Sequence, residues 1–242
     1  MRRVGIGAAL VVAGACAVGG CSLLPAQSVS DTTTLDQSVT SIKLDGHSGS
    51  VEVNGQTGAT KVTVERTIKY RDQRPNQDAY QVTGGVLTLT GDCGSDCDVD
   101  YVVTVPAGLA VGGGTSSGHI ALHHVGAVDV KTSTGSVELA DVTGTVKAET
   151  SNGAIEGTGL RGGAVQATTS NGEIDLTLAD ANNVTARTSN GRIQLTVPSS
   201  ATYRVSGNSS NGHRRIGVDD DASGKYSLDL NTDNGSIEVD KA

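Results

Sequence analysis

The tripeptide Ser-Asn-Gly keeps returning in this chain, and its spacing limits the possible folds more than any other feature. It stands at Ser151-Asn152-Gly153, Ser170-Asn171-Gly172, Ser189-Asn190-Gly191 and Ser210-Asn211-Gly212, with variants Ser133-Thr134-Gly135 and Asp233-Asn234-Gly235. Alignment on the glycine gives anchors Gly118, Gly135, Gly153, Gly172, Gly191, Gly212 and Gly235, spaced by 17, 18, 19, 19, 21 and 23 residues. Self-similarity at so short a period signals a stack of like units. Seven residues before each anchor stand Val111, Val128, Val146, Val165, Val184, Val205 and Leu228. Two residues after stand Ile120, Val137, Ile155, Ile174, Ile193, Arg214 and Ile237, and four after, Leu122, Leu139, Leu176, Leu195 and Val239. Apolar residues at every second position mark strands with one buried face.

Each repeat therefore reads as strand, Ser-Asn-Gly corner, strand and second corner, where Val125, Val142 and Leu160 precede the next strand. The expected fold is all-β: a single-domain parallel β-solenoid with two main strands per coil of about 19 residues. Seven or more coils at a strand spacing of ~4.8 Å make a rod of roughly 35 Å or longer. Arg214 interrupts the Ile column, and a one-residue bulge there would turn Ile216 and Val218 inward. The same template fits around Gly49, with Ile42, Leu44, Val51 and Val53, and around Gly85, with Leu87 and Leu89. The early part is then a less regular start of the same stack. Asn-Gly suits a sharp corner because Gly tolerates left-handed backbone angles freely and Asn tolerates them best among the rest. On this reading Asn152, Gly153, Asn171, Gly172, Asn190, Gly191, Asn211, Gly212, Asn234 and Gly235 are structural turn residues, not a ligand motif. The near-absence of rings, 2% aromatic with no Trp or Phe, agrees with a thin interior.

The first 20 residues have a different pattern. Arg2 and Arg3 precede an apolar run, Val4 to Val18, and then Val18-Gly19-Gly20-Cys21. That is the layout of an export signal, and the run is too short to span a membrane comfortably. Two small residues directly before Cys resemble the lipobox of bacterial lipoproteins, which implies that Cys21 becomes the lipidated first residue. A plain signal or a short anchor with Cys21 unmodified is the alternative. Removing residues 1–20 takes away two arginines and no acid, so the net charge of −8 becomes about −10. Several acyl chains, palmitate among them, would hold the protein on the outer face of the bacterial cytoplasmic membrane, because one chain alone binds only marginally. Residues 21–37 read as lipidated N-terminus and flexible tether, and 38–242 as the solenoid domain. Cys93 and Cys97, four apart in an exported chain, are expected to form a disulfide. A redox or metal role is the alternative.

The pattern V-x-[VA]-x-T-S-N-G-x-I-x-L after a lipobox resembles the bacterial putative-adhesin β-strand-repeat family, also called the toast-rack domain. The resemblance covers Ile42 to Val239. It implies a right-handed parallel β-solenoid on exported or membrane-anchored envelope proteins, a role in adhesion or envelope-stress sensing, and no shared catalytic motif.

Other chemistry finds little support in the residues. An acidic chain poor in rings is not a nucleic-acid binder. Outward positions stack into a carboxylate-rich ladder of Glu138, Glu156, Asp175, Gln194 and Glu238, read as a solvated face that Lys147 and Arg187 relieve. His119 and His123 lie about 13 Å apart along one strand face, too far for one metal. Asp219-Asp220-Asp221 with Ser223-Gly224 resembles half a calcium loop and reads as a polar connection. No metal or cofactor is expected. The expected function is a non-catalytic, adhesin-like surface-binding module of the cell envelope, attached to the membrane by its lipid, with an envelope protein or surface ligand as partner. Envelope-stress sensing through another membrane protein and a carbohydrate-active enzyme are the alternatives. Oligomeric state is left open.

Overall fold

The computed structural model describes residues 26–46, 48–71, 80–91, 93 and 97–242. The signal, Cys21 and the start of the tether lie outside these. In chain order the strands are Gln27–Leu35 (β1), Ser41–Asp45 (β2), Val51–Gln56 (β3), Val62–Tyr70 (β4), Tyr80–Thr83 (β5), Val86–Thr90 (β6), Cys97–Pro106 (β7), Ala110–Ser117 (β8), Ile120–His123 (β9), Val128–Thr134 (β10) and Val137–Ala140 (β11). Then follow Val146–Asn152 (β12), Ile155–Leu160 (β13), Val165–Asn171 (β14), Ile174–Leu178 (β15), Val184–Asn190 (β16), Ile193–Val197 (β17), Tyr203–Ser206 (β18), Ser209–Asn211 (β19), Arg214–Ile216 (β20), Tyr226–Asn234 (β21) and Ile237–Lys241 (β22).

They build two sheets. The front sheet runs β1-β4-β7-β3-β9-β11-β13-β15-β17-β22-β20, and the back sheet β18-β21-β16-β14-β12-β10-β8-β2-β6-β5, with β19 also on β21. From β8 to β17 each Asn-Gly-type corner carries the chain from a back strand to a front strand. Successive coils stack in parallel with the expected columns in register: Val128 on Val146, Val146 on Val165, Ile155 on Ile174 and Ile174 on Ile193. Eleven front strands at ~4.8 Å give a stack about 48 Å long. The two inner faces make one continuous core of Val, Ile, Leu and Ala. Each buried Val, Ile or Leu contributes roughly 1.5–3 kcal/mol. Gly157 opens a gap in the Leu column, and Leu160 fills it through a register shift in β13.

Glycine at the Asn-Gly corner has a reason other than backbone angle. Gly153, Gly172, Gly191 and Gly212 are not left-handed, whereas Gly118, Gly135 and Gly235 are. All seven share a steric limit. A Cβ on Gly172 would stand 1.9 Å from the Gly153 carbonyl oxygen, and one on Gly153 would stand 2.1 Å from that of Gly135. The corners nest so closely that only a hydrogen fits. The inward Thr three residues earlier completes the device: Thr150, Thr169 and Thr188 donate from Oγ1 to the carbonyls of Gly135, Gly153 and Gly172 at 2.9, 3.0 and 3.0 Å. These threonines are buried, and the hydroxyl gives the corner carbonyl the donor it needs away from water. The left-handed residues other than glycine lie at the second corner, where His124 (φ 55°) and Asp141 (φ 53°) take the place that Gly159 (φ 65°) has in the next coil.

Both ends depart from consecutive stacking. The β2–β3 coil sits between β6–β7 and β8–β9. The C-terminal β21–β22 coil slides between β16–β17 and the β18–β20 coil. Gly85 is not a solenoid corner. It is part of a left-handed Gly84-Gly85 turn joining the antiparallel hairpin β5–β6, and Leu87 and Leu89 stack on Ile42 and Leu44 in the back sheet. The tether expected over 21–37 is a strand from Gln27 to Leu35, antiparallel to β4 over nine pairs, because Val29, Thr33 and Leu35 alternate toward the core. Arg214 forms no bulge. It pairs in register with Ile237 on the outermost coil, where the inward side opens to solvent, while Val218 is buried and Ile216 half-buried. All five tyrosines lie in the end regions. Tyr70, Tyr80 and Tyr101 are at one end, and Tyr203 and Tyr226 at the other, ring centroids 6.2 Å apart.

The corner geometry predicts that Thr169→Val lowers unfolding stability by about 1–3 kcal/mol, since the Gly153 carbonyl loses its donor without a change in packing volume. Thr169→Ser keeps most of that stability. Gly172→Ala costs more than either. Denaturant unfolding of the three variants measures the order, and a neutral Gly172→Ala would contradict the nesting.

Candidate functional site

A regular stack turns sequence columns into surface columns. On the edge between the sheets the corner asparagines form a chain of side-chain amides. Asn211 Nδ2 donates to Asn234 Oδ1 (2.9 Å), Asn234 to Asn190 (2.9 Å), Asn190 to Asn171 (3.0 Å) and Asn171 to Asn152 (3.1 Å). Asn152 Nδ2 ends the run on the Ser133 carbonyl at 3.4 Å. Asn is therefore required as a combined donor and acceptor at one-strand spacing. The five Asn-Gly pairs align along one edge, with their polar capacity turned on one another.

The front face carries the carboxylate column. Glu138 pairs in register with Glu156, Glu156 with Asp175, Asp175 with Gln194, and Gln194 with Glu238. Cations reach only parts of it. Arg215 bonds Glu238 at 2.9 Å and Asp240 at 2.7 Å, holding both carboxyls below their usual range mainly through these hydrogen bonds. Arg192 grips Glu173 beside the column, and His119 Nε2 lies 3.5 Å from Glu138. Glu156 has no ion pair among the described residues. Asp175 is pushed up, first by burial and then by the Glu173 charge, against the pull of Arg192. Lys147 and Arg187, expected to relieve this column, are on the opposite sheet. Lys147 pairs with Asp129 and Glu149, and Arg187 with Asp229.

Back-face carboxylates are paired locally: Asp45 with Lys43, Asp129 and Glu149 with the Lys147 they share, and Asp229 with Arg187. Across this face β8 presents Ala110 and Gly112, so an open trough of about 450 Å³ lies between Lys43 and Asp129.

The other candidate residues have structural partners. Cys93 and Cys97 form a disulfide with Cα atoms 5.8 Å apart. Asp220 accepts the Val205 N–H at 2.9 Å, capping the edge of β18; Asp221 holds the Ser223 hydroxyl at 2.6 Å, and Asp219 meets Lys241 at 3.2 Å. The half calcium loop thus closes an end of the stack. His119 bonds Ser136 through Nδ1 at 2.7 Å, and His124 Nε2 lies 3.5 Å from Asp141. Among the described residues no group of three His, Cys, Asp or Glu side chains converges as metal ligands would. Composition hid the difference between the faces, which depends on which strand each cation occupies.

The amide chain predicts that Asn190→Asp destabilises by about 1 kcal/mol near neutral pH, because a carboxylate then faces the Asn171 Oδ1 acceptor. The new acid has a raised folded pKa, so the loss shrinks as pH falls through it. Stability measured from pH 7 to pH 3 against the wild-type chain checks both magnitude and sign.

A search of curated proteins found no match. Among solved structures, a putative adhesin from Parabacteroides merdae ATCC 43184 is 12% identical with a TM-score of 0.43, 89% of this chain and 96% of that chain being covered. A putative adhesin from Bacteroides fragilis NCTC 9343 is 13% identical with a TM-score of 0.42, covering 88% and 97%. A putative lipid binding protein from Parabacteroides distasonis ATCC 8503 is 13% identical with a TM-score of 0.37, covering 88% and 96%. The Toastrack DUF4097 family model matches residues 108–240, the regular coils and the interleaved C-terminus, which is more than half of the chain. The chain belongs to the Toastrack DUF4097 family.

Proposed function

We propose that this protein is a lipid-anchored, non-catalytic binding module of the bacterial cell envelope, presenting the front face of its solenoid to a basic or cationic partner. The observation that carries the reading is the unequal charge of the two faces. Glu138, Glu156 and Asp175 follow one another at strand spacing, and among the described residues none of the three forms an ion pair with a Lys or Arg, while Asp45, Asp129, Glu149 and Asp229 of the back-face strands have Lys or Arg partners. Self-repulsion along such a column is relieved when a cation or a basic surface covers it. A rigid, flat face presents these charges at fixed intervals, which favours an extended surface ligand over a small enclosed one.

Cys21 is the attachment point on this reading, and residues 22–26 then separate the lipid from β1. Five extended residues reach at most about 18 Å. The β1 end of the stack would therefore be held close to the outer face of the membrane, with the interleaved C-terminal coil farther out.

The test takes two measurements on the full chain. Cys21→Ser is expected to move the protein from the membrane fraction to the soluble exported fraction, and retention in the membrane would refute lipid attachment. Crosslinking on intact cells, followed by mass spectrometry, is expected to capture partners on the front face. Glu156→Lys is expected to reduce capture at least several-fold, whereas Asp129→Lys on the back face leaves it unchanged. Equal capture by both variants would overturn the choice of face.

A further inference from the structure

Two sheets leave four strand edges, and three of them are short. β20 has three residues, β5 has four, and the edge on β21 is broken into β18, four residues with the Val205 N–H already covered by Asp220, and β19, three residues. The fourth is β1. It pairs with β4 through nine consecutive residues without a bulge, and its other side has no strand among the described residues. Long, flat edges are templates for another strand, and proteins commonly blunt them with Lys, Pro, bulges or inward charges. The β1 sequence QSVSDTTTL contains no Lys or Pro. Its one charge, Asp31, is held by Arg66 of β4 through Nε and Nη2 at 2.9 and 2.5 Å.

We propose that the β1 edge is an interaction surface for a second copy of this chain, paired antiparallel about a twofold axis at Thr32. The argument is self-complementarity, which an isologous contact requires. Even-numbered residues of β1 face out and odd-numbered ones face in. A twofold axis through the sheet must therefore set odd against odd and even against even. Centred on Thr32, the pairing sets Val29 against Leu35, Ser30 against Thr34, Asp31 against Thr33 and Thr32 against its own copy. Every pair is apolar with apolar or hydroxyl with a polar group, the combinations that support cross-strand contact. Centring on Asp31 would oppose two carboxylates, and centring on Thr33 would set Asp31 against Leu35.

The charge around the edge agrees. Asp31–Arg66, Asp36–Lys61 and Lys69–Asp100 are paired, and the carboxylate nearest the axis without an ion pair among the described residues, Glu65 beside Thr32 on β4, stands one strand back from the edge, about three strand spacings or ~14 Å from its copy in the dimer. Val29 is half-buried at the end of the front sheet, and the added strand covers it. Because the contact is isologous it closes at two copies. The proposal does not depend on the lipid anchor or on the front-face partner.

The test uses single cysteines in the full chain under mild oxidation, with the wild-type chain as the background for native thiols. Thr32→Cys is expected to give a reducible species of twice the chain mass in at least half of the protein. Thr34→Cys, opposite Ser30, and Arg204→Cys on β18 stay at the wild-type background. Thr32→Lys is expected to reduce the mass in solution from dimer to monomer while its thermal unfolding stays unchanged. Absence of the Thr32→Cys dimer would overturn the proposal. So would equal crosslinking at all three positions, or a Thr32→Cys adduct to a different protein.

Discussion

The fold depends on how closely one corner lies on the next. Coils stack at strand spacing, and at the Asn-Gly corner the carbonyl of one glycine occupies the space a side chain would need on the glycine of the neighbouring coil, with 1.9–2.1 Å between that oxygen and a hypothetical Cβ. The constraint fixes three residue types at once. Glycine is the only residue that fits, an inward Thr supplies the donor its neighbour's carbonyl would otherwise lack, and Asn ties the outer side into a chain of amides. The repeat is thus a packing unit, and its sequence records contacts between coils as much as conformation within one.

The same logic shows why some features were legible from sequence and others were not. Columns of Val, Ile and Leu at fixed offsets reveal period, strand direction and buried face, because parallel stacking places like residues on like. Order along the stack leaves no such trace. Gly191, Gly212 and Gly235 fit the template equally well, and only pairing shows Gly235 between the other two. Gly85 matched the template by offset alone, since its neighbours Leu87 and Leu89 alternate as any half-buried strand does. β1 was hidden in a run of Ser and Thr, whose hydroxyls read as a polar tether although Thr is also a good strand former. The corner asparagines stand at the turns as expected but none of the five is left-handed: propensity describes single residues, whereas the amide chain exists only between coils.

The ends carry what the repeat cannot. A solenoid must close its open coils, and this one does so by interleaving at both ends, by antiparallel strands at one end, and by a loop whose Asp220 replaces a missing strand at the other. The tyrosines belong to these regions, and Tyr101 and Tyr203 are buried there. Function is then left to the surfaces. The two faces share one backbone geometry and differ in where cations stand, a difference of side-chain placement on a nearly uniform frame. Sequence columns found the acidic stripe but paired it with Lys147 and Arg187, which the winding puts on the other sheet.

The most direct test of the stacking order is a thiol-bridging experiment with paired cysteines on one surface column. Ser189→Cys with Asp233→Cys lies on adjacent coils, whose Cα atoms are about 4.8 Å apart, whereas Ser189→Cys with Ser210→Cys is separated by two coils, about twice that distance. The interleaved stack predicts rapid intramolecular bridging of the first pair by a short bifunctional thiol reagent and little bridging of the second. The reverse result would mean that the coils pile up in simple chain order and would contradict the architecture described.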